Sequence, residues 1–362
     1  MDDYKFRFDA IRGTQNNSLY FIAQIPFRVL ASMIALDDCE NVNDRSQREL
    51  SKSRAKDISV YLCQNLNKTF TVIPPLIGFI NDEYTFEEVQ LEQFKGVGKF
   101  KISMDIKLKL FDGQHRGIGI KEALQIAPEL AANTVPVMFF VGLSLKDRQQ
   151  AFHDINFTQK TPAKALCIAY NGRSSFDSMV VDLFKESPIR HLIDYEKNTV
   201  SGKNPYLYSL KTLQEFSALV LGGTEFNADD VEYLEQYVSV LTNCLGITQT
   251  LESLKHNASS DLPAVQLREY SLVTQVVMVK ALGMLGNFVR SYDDWPHYLE
   301  KLGKDEIFYR DPHWIGVCLT EAGKLRASKR AIQLTFLELK SQCGLELSEE
   351  DTQFTLQHKG DI

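Results

Sequence analysis

The passage from Lys101 to Ala127 constrains this chain most, because a period of two gives way there to a helical period within a few residues. Ile102, Met104, Ile106, Leu108 and Leu110 alternate with Lys101, Ser103, Asp105, Lys107 and Lys109, the pattern of a half-buried strand. Beyond Phe111-Asp112-Gly113-Gln114-His115-Arg116, the residues Ile120, Leu124 and Ala127 recur at helical spacing, and Lys121-Glu122-Ala123-Leu124 is good helix-forming sequence. A strand is therefore expected to end at Asp112-Gly113 and a helix to begin at once. Gln114, His115 and Arg116 then fall in a first helical turn, where unpaired N–H groups and the helix dipole favour an anion. Asp-Gly is also a common turn, and a His-Arg pair at a helix start can simply be solvated. The pattern alone leaves a binding turn and a structural turn both open.

Asp112 to Arg116 reads DGQHR, and in that string the chain resembles the DndB family, regulators encoded with bacterial DNA phosphorothioation systems, in which sulfur replaces a phosphate oxygen. The resemblance covers roughly the first 210 residues well and the remainder loosely. Gly113 and Arg116 also match the G-x-x-R of the ParB and sulfiredoxin superfamily, where a strand runs into a helix whose N-terminus holds a triphosphate. Gln114 stands where sulfiredoxins carry their catalytic cysteine, so sulfinic-acid reduction does not come with the likeness.

The fold implied is α+β: a mixed-sheet, ParB/sulfiredoxin-like domain over residues 1–170, then a mainly α-helical region over 171–362. The function implied is that of a DNA-binding transcriptional repressor of a phosphorothioate-modification gene cluster. Gly113 and Arg116 would hold the phosphates of ATP or another nucleoside triphosphate, and Asp112 would take a Mg²⁺ ion through its hard oxygen. Asp112, Gln114 and His115 form the candidate catalytic set, His115 as proton acceptor. ParB-like domains place an Asn-bearing helix after the second strand with its polar end toward the nucleotide turn. Asn156, with Gln159 and Lys160, occupies that place here.

Among 362 residues, 44% hydrophobic and 24% charged content describes a globular chain long enough for two domains. No apolar run approaches the roughly 18 to 20 residues that span a bilayer, and the first residues lack the basic start of a secretory signal, so a cytoplasmic protein without a membrane partner is expected. The six cysteines contain no C-x-x-C pair, which indicates neither a zinc knuckle nor a disulfide framework; reduced, mostly buried thiols are expected. The net charge of −7 weighs against a broadly basic nucleic-acid surface, so contact with double-stranded DNA must come from local patches.

Three such patches exist. Arg48, Lys52, Arg54 and Lys56 crowd the start of a helix beginning near Gln47, whose apolar stripe is Ala55, Ile58, Tyr61, Leu62 and Leu66. DndB-like proteins resemble this stretch too, with an Arg-rich helix leading to a tyrosine, which makes Arg48 and Arg54 candidates to reach phosphate. Lys197 and Lys203 interleave with Tyr206 and Tyr208 in an irregular stretch, and Lys324, Arg326, Lys329 and Arg330 cluster before a late helix. Solvated surface faces give the same patterns.

Elsewhere, residues 4–12 and 19–25 read as a hairpin around a loop at 13–18, and Pro26 opens a helix. Phe70 to Phe79 reads as a strand interrupted at Pro74-Pro75, which places it at a sheet edge or a bulge. An acidic loop from Asn81 to Phe94 leads to a turn at Gly96-Val97-Gly98 before the central strand. Val135 to Val141 reads as a strand buried on both faces, completing a right-handed βαβ unit. Ser144 and Asp147 form a capping box. Helical pattern dominates from Thr161, with long helices over Val231–Leu245 and Leu272–Val289, and Gly222-Gly223 is the linker candidate. No metal-ligand motif, Walker A or G-x-S-x-G sequence is present. Besides the regulator, two classes stay open: an ATP-dependent enzyme acting on DNA, as NTPase or nickase, and a helical interaction subunit serving other proteins of the phosphorothioation system. A homo-oligomer is expected in each case.

Overall fold

Alternating side chains build the first part of the chain. In the computed structural model, Lys5–Gln15 (β1) and Ser18–Pro26 (β2) pair antiparallel as the expected hairpin. Its turn is only Asn16 and Asn17, with Asn16 at φ 51°, because Gly13, Thr14 and Gln15 extend the ladder opposite Tyr20, Leu19 and Ser18. The structure describes residues 4–35, 51–68, 70–90, 95–157, 161–247, 249–250, 252, 263–302 and 312–360. Two units divide the chain, Met1–Lys160 and Thr161–Ile362.

The hairpin lies within a seven-stranded sheet together with Leu76–Ile80 (β3), Tyr84–Glu88 (β4), Val97–Ser103 (β5), Lys109–Asp112 (β6) and Thr134–Val141 (β7), in the order β4-β5-β1-β2-β7-β3-β6. Among these described strands, only β3 and β7 pair in parallel. Phe27–Met33 (α1), Lys52–Gln64 (α2) and Gln114–Ile126 (α3) pack on one face, around a core that includes Phe21, Leu30, Phe100, Ile120, Val137 and Phe139. Leu145–Phe157 (α4) packs against β6, capped as expected by Ser144 and Asp147, and lays the Arg148 guanidinium over the Phe79 ring at 4.7 Å.

The topology corrects several expectations. The alternating run 101–110 is two strands: β5 pairs with β1 and β4, whereas β6 pairs with β3 at the far edge. A turn at Met104-Asp105 separates them, while Ile106 and Leu108 stay buried because the connecting backbone hydrogen-bonds with Met33 and Ala35. Burial thus keeps its period of two across a break in the strand. β5 is second from an edge rather than central, and the acidic loop contains the edge strand β4. Pro74-Pro75 precede β3, which is therefore free to be internal. The strands before and after α3 are neither adjacent nor parallel, since β3 lies between β6 and β7, so no βαβ crossover forms. Along β7 only Val135, Val137, Phe139 and Val141 are buried; Pro136, Met138 and Phe140 are half-buried on the other face.

The second unit is helical, as expected, with a two-stranded parallel pair, Ile193–Asp194 (β8) and Tyr208–Ser209 (β9). Its helices include Lys164–Tyr170 (α5), Ser175–Glu186 (α6), Leu210–Leu221 (α7), Ala228–Cys244 (α8) and later helices at Pro263–Tyr270, Val276–Val289, Trp295–Glu300, Lys329–Gln342 and Glu349–His358. Val276–Val289 is the central element: a Cβ on Gly283 would lie 2.9 Å from the Leu219 Cβ, and one on Gly286 2.8 Å from the Tyr237 ring, so only glycines admit α7 and α8 this closely. Ala165 and Ile168 of α5 belong to this core, which is why the division falls before α5 rather than after it. Gly222, at φ 77°, ends α7 inside the second unit, and Gly222-Gly223 is not an interdomain linker. Among the described residues, no helix is long and apolar enough to cross a membrane.

Candidate functional site

The strand-to-helix turn forms where the sequence puts it. β6 ends at Asp112, Gly113 is the N-cap of α3 at φ 90°, and Gln114, His115 and Arg116 occupy the first turn with no side chain capping them. Glycine is required twice over, by the left-handed backbone and by space, because a Cβ here would sit 2.4 Å from the Leu76 Cδ2 and 3.2 Å from the Arg116 guanidinium. That room lets Arg116 fold back. Its Nη2 donates to the Asp112 Oδ2 at 2.6 Å and its Nη1 to the Pro75 carbonyl at 3.2 Å, and both side chains of the pair are largely shielded, 17% and 27% exposed.

His115 reaches the other way. The backbone N–H of Ser51, the N-cap of α2, donates to His115 Nε2 at 3.1 Å. One helical turn further on, Gly119 meets α2, where a Cβ would lie 2.8 Å from the Ala55 carbonyl, and further still the Cys63 thiol reaches the Ala123 carbonyl at 3.9 Å. Residue numbers rise together along both helices, so α2 and α3 run in the same direction with their N-termini side by side. Two positive dipole ends therefore lie together, with Lys52 and Arg54 on one first turn, Arg116 on the other, and no acidic residue in either.

The other candidates are distributed as follows. Asn156 donates its amide to the Phe152 carbonyl at 2.8 Å, within α4. Arg48, Gln159 and Lys160 lie outside the described residues. No group of three or more His, Cys, Asp or Glu able to hold a metal ion occurs among the described residues. A Mg²⁺ ion at Asp112 would thus draw its further ligands from phosphate and water, and it would compete with Arg116 for the carboxylate. The phosphate half of the expected site fits the turn better than the metal half.

In the second unit, Lys197 and Lys203 are exposed on a loop that is held from below. Buried Asp194 accepts from the Glu196 and Lys197 amides and the Asn204 side chain, and Arg268, 9% exposed, donates to the carbonyls of Gly202, Asn204 and Tyr206. Tyr208, which the sequence groups with this basic and aromatic stretch, is instead buried in the core strand β9, its phenol pushed well above the ordinary range by burial. Lys324 and Arg326 stand on a small hairpin, Cys318 to Arg326, beside Lys359, a third cation that its distance along the chain conceals in the sequence. Lys329 and Arg330 occupy the first turn of Lys329–Gln342, where they oppose the dipole.

Arg54, Lys197, Lys203, Lys324, Arg326, Lys329 and Arg330 are all exposed, and none forms an ion pair with a described residue. Lys99, Lys101, Lys280 and Arg290, by contrast, each hold a carboxylate. Lys52 and Lys56 beside Arg54 are likewise exposed and without an ion pair to a described residue.

The family model for DndB, described as DNA-sulfur modification-associated, matches residues 8–346. No curated protein and no solved structure matches the chain. The likeness to the ParB and sulfiredoxin superfamily, carried in the sequence by Gly113, Arg116 and the Asn156-bearing helix, is not shown by these comparisons.

Proposed function

The chain belongs to the DndB family, the DNA-sulfur modification-associated proteins, and on that premise we propose that it is a DNA-binding transcriptional repressor of a phosphorothioate-modification gene cluster, with a nucleotide-responsive turn at Asp112–Arg116. The observation that supports the DNA half is the set of exposed cations without an ion pair to a described residue: Arg54 in the first unit, and Lys197, Lys203, Lys324, Arg326, Lys329 and Arg330 in the second. Each cluster carries a local repulsion that a phosphate backbone would relieve, and counterion release would make the binding strongly salt-dependent. The partners on this reading are double-stranded DNA and other proteins of the modification system, with a homo-oligomer as the binding species. A gel-shift titration with promoter DNA upstream of the neighbouring modification genes tests it. Nanomolar binding at low salt that weakens steeply as salt rises is expected; no binding at low salt would overturn the reading.

The nucleotide half draws on a separate observation, the paired N-termini of α2 and α3. They favour a phosphate group at Gly113–Arg116, where backbone N–H groups and Arg116 would grip it. Slow hydrolysis of ATP at this turn would use Gln114 and His115 to orient water. An ATP-dependent enzyme acting on DNA is the second reading, and phosphate release that depends on His115 would favour it over a purely regulatory site.

A further inference from the structure

His115 belongs to the Asp112–Arg116 turn by sequence and to the end of α2 by hydrogen bonding. Its Nε2 lone pair accepts the Ser51 N–H at 3.1 Å, which places the ring proton of that tautomer on Nδ1. Ser51 is the N-cap of α2, and its amide is the one that a glutamate at the third helical position accepts in a capping box. In α2 that third position is Arg54, which has no acceptor to offer, and no side chain of the helix's own caps it. The imidazole from α3 fills the gap. The helix with the exposed cations Lys52, Arg54 and Lys56 is thus held at its N-terminus by a residue of the Asp112–Arg116 turn.

We propose that His115 is a positioning residue that ties this turn to α2, and that a phosphate-bearing ligand at the turn loosens the first turn of α2 by drawing the imidazole away from Ser51. To donate to a phosphate oxygen, Nε2 must carry a proton, taken up from solvent or by a change of tautomer, and a protonated Nε2 no longer accepts the Ser51 N–H, so the ring serves one or the other. Arg54 and its neighbours then change their presentation when the turn is occupied, while Gly119 against Ala55 and Ile58 keeps the rest of α2 seated. The ligand-driven half of this rests on the reading of the turn as a phosphate site; the tie itself does not.

Amide hydrogen exchange, followed by mass spectrometry on the full chain, separates the two. Without ligand, His115→Ala should speed exchange over residues 51–56 by roughly tenfold, the effect of a lost cap, with the sheet and the rest of α3 unchanged. His115→Gln, whose side-chain carbonyl can accept the Ser51 N–H, should restore protection. Unchanged exchange in His115→Ala, or equally fast exchange in His115→Gln, overturns the tie. ATP with Mg²⁺ is then the probe: wild type should show faster exchange at 51–56 on binding, and His115→Ala should show no further change. Heat of binding in calorimetry without that change overturns the transmission, whereas absence of any heat overturns the phosphate reading and the transmission together, leaving the tie to be judged by the ligand-free comparison.

Discussion

Arg116 and Asp112 hold each other across one helical turn, Nη2 to Oδ2 at 2.6 Å, so the side chain best placed to grip a phosphate already has a carboxylate in its grasp. A ligand at the turn must compete for that guanidinium. Asp112→Asn should therefore strengthen ATP binding, because it releases Arg116, whereas Arg116→Ala should weaken it by roughly 1.5 to 3 kcal/mol, the worth of a charge-assisted hydrogen bond. Calorimetry with and without Mg²⁺ reads both. If Asp112→Asn instead abolishes a Mg²⁺-dependent component, Asp112 acts as a metal ligand and the ion pair is only its resting state.

Reversing Lys324, Arg326, Lys329 and Arg330 to glutamate together should weaken DNA binding uniformly across sequences and lower the log–log salt slope by about 3.6, at about 0.9 for each phosphate no longer neutralised. All four are exposed and without an ion pair to a described residue, so the fold should tolerate the change, and circular dichroism would verify that it does. Arg54→Glu, tested alone, should lower the slope by about 0.9. A slope that stays at its wild-type value in the quadruple variant would place the DNA interface elsewhere.

Gly119→Ala should destabilise the first unit. Alanine gains roughly 1 kcal/mol in helix propensity over glycine, yet the new methyl would lie 2.7 Å from Ile58 Cγ2 and 2.8 Å from the Ala55 carbonyl. Overpacking against backbone typically costs about 1 to 3 kcal/mol, so the clash wins and the urea midpoint should fall. A raised midpoint would mean that α2 and α3 part easily, which would also count against their acting as one unit.

Acid should act on the second unit through Asp230. The backbone N–H of Asn227 and the guanidinium of Arg290 hold its carboxyl below the ordinary range. A depressed folded pKa gives stability that is fully present above the unfolded value of about 3.9 and is lost as pH falls through the folded one. Wild type should thus lose stability below about pH 4 more steeply than Asp230→Asn, which cannot titrate. Equal slopes in urea titrations across that window would show that the capping box and the Arg290 pair contribute nothing through charge.

The turn at the heart of this protein was legible in the sequence because it depends on local rules. A period-two run meeting a helical run fixes where strand becomes helix, and Gly113 between them supplies a backbone conformation that other residues resist. The Ser144–Asp147 cap, the helical second half and the DGQHR likeness were equally local, and the family match over residues 8–346 bears the last of these out. Strand partners were not legible. Burial alternates through 101–110 whether the backbone pairs with β1 or with β3, so the pattern that revealed the strand concealed the break in it. The ties that give the turn its character also come from far along the chain: the Pro75 carbonyl on Arg116, and the Ser51 amide on His115. Neither proline nor serine announces such a partner in sequence, because a backbone group can meet any side chain the fold brings to it. Composition set the number of cations, and only the tertiary structure decided which of the described ones, such as Lys99, Lys280 and Arg290, meet a carboxylate.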